Sequence, residues 1–144
     1  MSLDKDICVI ADSLRQRSKE ELQDWFLDQL IRKGSPLLKR SYPNQFEFYV
    51  YIKAGHRRAG PGDIYKCLGA EEGLRELPTI YISISGYTPD GIRAARLSGK
   101  NILLLETSQL IADMRFNEVV SLQPYTIYFY PNFDPSNLNN YIYP

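Results

Sequence analysis

Histidine and cysteine are almost missing from this chain of 144 residues: there is one histidine, His56, and there are two cysteines, Cys8 and Cys67. They form neither a Cys-x-x-Cys pair nor a cysteine–histidine cluster, so nothing in the sequence builds a zinc site or a redox motif. Both cysteines read as small buried apolar residues. The lone histidine has no serine or cysteine nucleophile in a recognisable context, which gives hydrolytic triads no support. No apolar run approaches the roughly 20 residues that span a bilayer. The opening residues, with Asp4, Lys5 and Asp6, do not resemble a secretory signal, so a cytoplasmic location away from membranes is expected. Net charge is absent too: 17 Lys and Arg balance 17 Asp and Glu, which argues against indiscriminate coating of nucleic acid. Finally, no aspartate stands between Asp28 and Asp63.

What is present suits one ordinary globular domain, with 44% apolar and 24% charged residues and enough length for a core of its own. The charge is unevenly placed. Between Ile31 and Gly60 stand Arg32, Lys33, Lys39, Arg40, Lys53, His56, Arg57 and Arg58 against Glu47 alone. Such a local excess can neutralise phosphates, and it is equally consistent with a solvated basic surface offset by acids elsewhere.

Ser18-Lys19-Glu20-Glu21 is a capping box, followed at helical spacing by Leu22, Trp25, Phe26, Gln29 and Leu30 and stopped by Gly34. Ahead of it, Leu3, Ile7, Ile10 and Leu14 fit a helical stripe, while Ile7 to Ala11 also fits a buried strand. Leu37 to Tyr42 is expected to be extended, and Phe46 to Lys53 to be a strand. The loop Gly55-His56-Arg57-Arg58-Ala59-Gly60-Pro61-Gly62 carries neither phosphate-binding signature, because no GxGxxG or GK[ST] is present. A helix over Asp63 to Glu72, a strand over Thr79 to Ser85 and a helix capped by Thr88-Pro89-Asp90 follow. Asn101 to Leu105 reads as a strand buried on both faces, and Thr107 or Ser108 as the cap of a helix through Leu110, Ile111 and Met114. The alternation implies an α/β domain over residues 1–123 with a central mixed sheet flanked by helices in three layers. Residues 124–144 read as an aromatic extension, with Tyr125 to Tyr130 available as an edge strand, packed on the domain or on a partner or second copy.

The strand at Phe46–Lys53 carries the chemistry. With side chains alternating, Glu47, Tyr49, Tyr51 and Lys53 share one face, and Phe46, Phe48, Val50 and Ile52 the apolar other. The tyrosines fit two roles, stacking on bases or covering a half-buried sheet face.

Tyr49-Val50-Tyr51-Ile52-Lys53, the helical Ile64 to Ala70, Ile80-Tyr81-Ile82-Ser83-Ile84-Ser85-Gly86-Tyr87-Thr88-Pro89-Asp90 and Asn101-Ile102-Leu103-Leu104-Leu105-Glu106 with Leu110 fall in a familiar order. From Phe48 through Met114 the chain resembles the Mrr-type restriction endonucleases of the PD-(D/E)xK superfamily, with Ser85-Gly86-Tyr87-Thr88-Pro89-Asp90 similar to their sGFT turn, and the helix from Glu20 to Lys33 is similar to their opening helix. That resemblance implies a restriction-endonuclease-like fold and a strand ending in carboxylate or glutamine, one residue, then lysine. It also implies an aspartate on the preceding strand, the carboxylates holding Mg²⁺ to activate water. Only Lys53 matches. Tyr51 stands where the carboxylate would be, and neutral phenols are poor ligands for a hard ion.

The expectation is therefore a nuclease-fold domain without a complete metal site, binding DNA or serving a DNA-processing or defence assembly. Its phosphate and base contacts would come from Lys39, Arg40, Tyr51, His56, Arg57 and Arg58, and no cofactor is expected. Two alternatives stay open. One is an active Mg²⁺-dependent nuclease with a relocated site using Lys53 and Glu47, with Glu21 a further carboxylate; Glu47 lies about 20 Å along the strand from Lys53. The other is a protein-interaction or homodimerisation module using the aromatic C-terminal region.

Overall fold

The computed structural model describes residues 3–28, 40–106 and 126–130. The N-terminal stripe is a helix, α1 (Leu3–Arg15), which sets aside the strand alternative at Ile7 to Ala11. Ala11 and Leu14 are buried beneath it. The capping box forms as its spacing requires: the Glu21 amide donates to Ser18 Oγ at 3.2 Å and the Ser18 amide to Glu21 Oε1 at 3.3 Å. It opens α2 (Lys19–Leu27), whose Leu22 and Phe26 are buried, with Trp25 edge-on to Phe26 at 4.8 Å. The expected continuation to Lys33 lies outside the described residues. Of the segment expected to be extended, residues 40 and 41 are helical, and Leu37 to Lys39 lie outside the described residues.

Four strands follow: β1 (Glu47–Lys53), β2 (Thr79–Ser83), β3 (Ile102–Glu106) and β4 (Thr126–Tyr130), with α3 (Pro61–Ala70) between β1 and β2 and α4 (Pro89–Leu97) between β2 and β3. α3 starts earlier than Asp63 because Pro61 supplies a ready-made φ for its first turn and the Asp63 Oδ2 accepts the Gly60 amide at 2.9 Å. β2 stops at Ser83, since Ile84 and Ser85 turn into Gly86, which sits at φ 87° where a Cβ-bearing residue is strained.

The sheet runs β3-β2-β1-β4 with every pairing parallel. The mixed sheet that was expected does not form among the described residues. Each of the crossovers β1–α3–β2 and β2–α4–β3 carries the chain back to its starting end, and such crossovers make parallel neighbours. β4 then lies on the far side of β1, so β1 is flanked by parallel strands on both edges. This order is that of half a doubly wound sheet, in which ligands gather beyond the C-terminal ends of the strands where the winding reverses, here at β1.

Helices cover both faces. Phe48, Val50, Ile80, Ile82, Ile127 and Phe129 pack against α1 and α2. The opposite face, with Tyr49, Tyr81 and Tyr128, packs against Ile64 and Cys67 of α3 and Ala94 and Ala95 of α4. The tyrosine row is thus a second core. Tyr49 is 0% exposed, and its hydroxyl donates to the Arg75 carbonyl at 2.6 Å, which lets a phenol be buried without an orphaned polar atom. Of the aromatic C-terminal region, Ile127, Tyr128 and Phe129 belong to these cores, so they are not available to a partner. Residues 131–144, and the helix expected through Leu110 and Met114, lie outside the described residues. Among the described residues, no helix is long and apolar enough to cross a membrane.

Candidate functional site

β1 ends at Lys53 in the middle of the sheet, and the chain leaves it through the loop of residues 54–60 into α3. Period-two alternation points Lys53 to the α3 side, where its Nζ lies 3.8 Å from Asp63 Oδ1. Arg57 reaches the same oxygen, also at 3.8 Å. Both ion pairs are long; the shorter bond of Asp63 is the one that caps α3 at the Gly60 amide. Lys53 is recessed, with 18% of its side chain exposed, against 81% for Arg57. His56 and Arg58 are exposed beside them.

The loop is held from two sides. The Ala59 amide donates to the Gly86 carbonyl at 2.9 Å, and the Thr88 amide donates to the Ala59 carbonyl at 3.0 Å, making a short parallel bridge between Ala59 and Tyr87. Gly91, in the first turn of α4, lies so near that an added Cβ would stand 2.6 Å from the Ala59 carbonyl oxygen. From the other face of the sheet, Arg15 at the end of α1 donates to Ser85 Oγ at 2.8 Å, and that hydroxyl donates to the Gly55 carbonyl at 2.7 Å. The N-termini of α3 and α4 therefore open together. Between them is a cleft of ≈ 590 Å³ lined by Arg57, Arg58, Gly60, Gly62, Asp63 and Thr88.

Behind Asp63, Tyr51 and Tyr81 are register partners with rings stacked at 4.9 Å and 16°. Tyr51, whose expected roles were stacking on a base or covering a half-buried sheet face, gives one ring face to Tyr81 beneath α3. Burial raises the Tyr51 phenol above its ordinary value, with Cys67 and Asp63 adding to the rise. Tyr81 is 0% exposed, and its hydroxyl has no hydrogen-bond partner among the described residues. Its phenol is raised by burial, then by Tyr51, Asp63 and Cys67. The neighbouring Tyr87 hydroxyl, by contrast, donates to the carbonyls of Tyr81 and Leu105 at 2.6 and 2.8 Å.

Glu47 is at the other end of β1. Its Oε1 accepts from Arg75 at 3.1 Å and from the Tyr128 hydroxyl at 3.2 Å. Lys53 and Glu47 are not brought together, and Glu21 is occupied at its cap on α2. Arg40 is exposed and Lys39 lies outside the described residues.

The described donors beside Lys53 do not suit Mg²⁺. Among the described residues, the carboxylate paired with Lys53 is Asp63, already hydrogen-bonded to the α3 cap and facing two cations. Among the described residues, no group of three or more His, Cys, Asp or Glu side chains could hold a metal ion. Glu106 ends β3, two strands from β1 and so about 10 Å across the sheet, with its carboxylate against Gly86.

Sequence reading missed Asp63 as the partner of Lys53. A signal existed: Gly60-Pro61-Gly62-Asp63 places proline first and an acid third in a helix, the spacing of a reciprocal cap. Tyr81 and Arg15 gave none, because their roles depend on strand pairing and helix packing. No family model matches the chain, and neither a curated protein nor a solved structure matches it.

Proposed function

We propose that this chain is a phosphate-binding α/β domain that holds nucleic acid without cutting it, as part of a DNA-processing or defence assembly. The observation that carries the reading is the company of Lys53. Among the described residues it faces one capped carboxylate, Asp63, and no metal-ligand pair, while Arg57 and Arg58 are solvated in the cleft that Asp63 also lines. Catalysis by a PD-(D/E)xK-like site needs paired oxygen ligands for Mg²⁺; binding to a backbone needs only exposed cations on a rigid mount. Both belong to the C-terminal edge of a parallel sheet, where such sheets place ligands.

The mount matters as much as the charge. A mobile loop loses entropy when it orders on a ligand, but this one is bonded to Gly86 and Thr88 and backed by Gly91. The resemblance to restriction endonucleases supports nucleic acid as the class of ligand and DNA as the first probe.

Polarisation titrations of single- and double-stranded DNA at several salt concentrations test this. Binding should weaken with salt, and Arg57→Ala with Arg58→Ala should reduce the slope by about 1.5–2. Affinity no greater than that of a neutral control protein removes the reading. Cleavage with Mg²⁺ or Mn²⁺ that disappears in Lys53→Ala replaces it with the relocated nuclease.

A further inference from the structure

A second cavity lies at the opposite end of the sheet from Arg57 and Arg58, where β2 begins and the chain enters β3. It measures ≈ 500 Å³, within the range of about 300–1,000 Å³ usual for small-molecule sites, and Leu68, Glu71, Leu74, Leu77, Thr79 and Lys100 line it. Its wall is held in place. The chain turns at Gly73, whose φ is 85°, and the Leu74 amide donates to the Glu71 carbonyl at 2.9 Å. From the core side, the Tyr49 hydroxyl donates to the Arg75 carbonyl.

Two opposite charges face this space without meeting. Glu71 is half-buried, and the buried Thr79 hydroxyl donates to its Oε1 and so fixes the carboxylate. Lys100 is exposed. The two charges feel each other, since burial raises the Glu71 carboxyl while Thr79 and Lys100 lower it. Yet neither enters an ion pair among the described residues. The other charges on the lining are engaged or solvated: Arg75 donates to Glu47 at 3.1 Å and to the Tyr128 hydroxyl at 3.2 Å, and Glu72 and Glu76 are exposed. A carboxylate drawn partly out of water without a cation is costly, and a charge-assisted hydrogen bond offsets that cost.

We propose that this cavity binds a free α-amino acid with an aliphatic side chain. Its ammonium would meet Glu71, its carboxylate Lys100, and its side chain the half-buried Leu68, Leu74 and Leu77. Such a zwitterion gives each charge a partner, whereas a plain amine or a plain acid serves one and leaves the other unpaired. Thr79 is a positioning residue, acting through Glu71. The site lies apart from the phosphate-binding cleft, and the inference does not depend on that reading.

Calorimetric titration of the full chain with L-leucine, isopentylamine and isocaproate tests it, because the last two are leucine without its carboxylate and leucine without its ammonium. Leucine should bind at least about tenfold more tightly than either. Glu71→Gln keeps an acceptor for Thr79 and should lower leucine to the affinity of isocaproate. Lys100→Met, at an exposed position, should lower it to that of isopentylamine. Thermal unfolding of both variants separates lost contacts from lost fold. Absence of leucine binding at millimolar concentration overturns the proposal, and so does an amine or acid that binds as tightly as leucine. Leucine affinity unchanged in either folded variant overturns it as well.

Discussion

Lys53 at the end of β1 and Asp63 in the first turn of α3 face each other at 3.8 Å, and the same carboxylate caps the helix at 2.9 Å. The lysine that the nuclease resemblance singles out is therefore tied to a helix terminus. Asp63→Asn keeps an oxygen for the Gly60 amide and removes a negative charge from the cleft. Nucleic-acid affinity should rise about two- to tenfold at low salt, with a stability loss below about 1 kcal/mol for these long, partly exposed pairs. Titration and urea denaturation measure the two. Weaker binding would mean that Asp63 itself holds the ligand.

Gly91→Ala sets two effects against each other. Alanine in a helix is worth about 1 kcal/mol over glycine. A Cβ here, however, would stand 2.6 Å from the Ala59 carbonyl oxygen, and backbone cannot yield cheaply. The clash should win, with a net loss of about 1–3 kcal/mol in urea denaturation and weaker nucleic-acid binding as loop 54–60 is displaced. A stabilised variant would show that α4 does not press on the loop.

Glu71, just after α3, receives a hydrogen bond from the Thr79 hydroxyl, yet burial raises its carboxyl above the ordinary 4.5, outweighing the lowering by Thr79 and Lys100. A carboxyl raised on folding binds more protons in the folded state. Its contribution is complete below the unfolded value and disappears as pH climbs through the folded one. Glu71→Gln keeps an acceptor for Thr79 without the buried charge, so the variant should gain stability over the parent as pH rises above 4.5. Paired denaturation curves from acid to neutral pH check this. A gap that narrows with pH contradicts it.

Glu47 is a structural group. Its bonds to Arg75 and Tyr128 join the loop before β2 to the edge strand β4. Because Glu47 and Arg75 are 39% and 49% exposed, Glu47→Gln should cost no more than about 1 kcal/mol. DNA affinity should not change. A change in affinity would put a ligand contact at the wrong end of the sheet.

Much of the fold was legible because it depends on local chemistry. The Ser18–Glu21 box, the Thr88-Pro89 cap and the apolar run before Glu106 each specify an element within a few residues. Failures came where a longer-range choice decides. Residues 40 and 41 are helical despite reading as extended, and β1, β2 and β3 are parallel because α3 and α4 fill the returns between them. The basic loop was legible by its residues, but not as part of a cleft, since Ala59, Gly86, Thr88 and Gly91 converge only when β1 and β2 pair.

The sequence by itself determined that β1 presents Glu47, Tyr49, Tyr51 and Lys53 to one side, and that no carboxylate stands two residues before the lysine. Alternation along a strand is a property of the backbone and needs no partner. Only the tertiary structure decided what that side meets. Parallel pairing laid Tyr81 against Tyr51, and the crossover through α3 brought Asp63 over Lys53. The tyrosines thus became core and the end of the strand came to lie behind a cleft that Asp63 lines, because side chains remote in sequence exclude water together only after the sheet has closed.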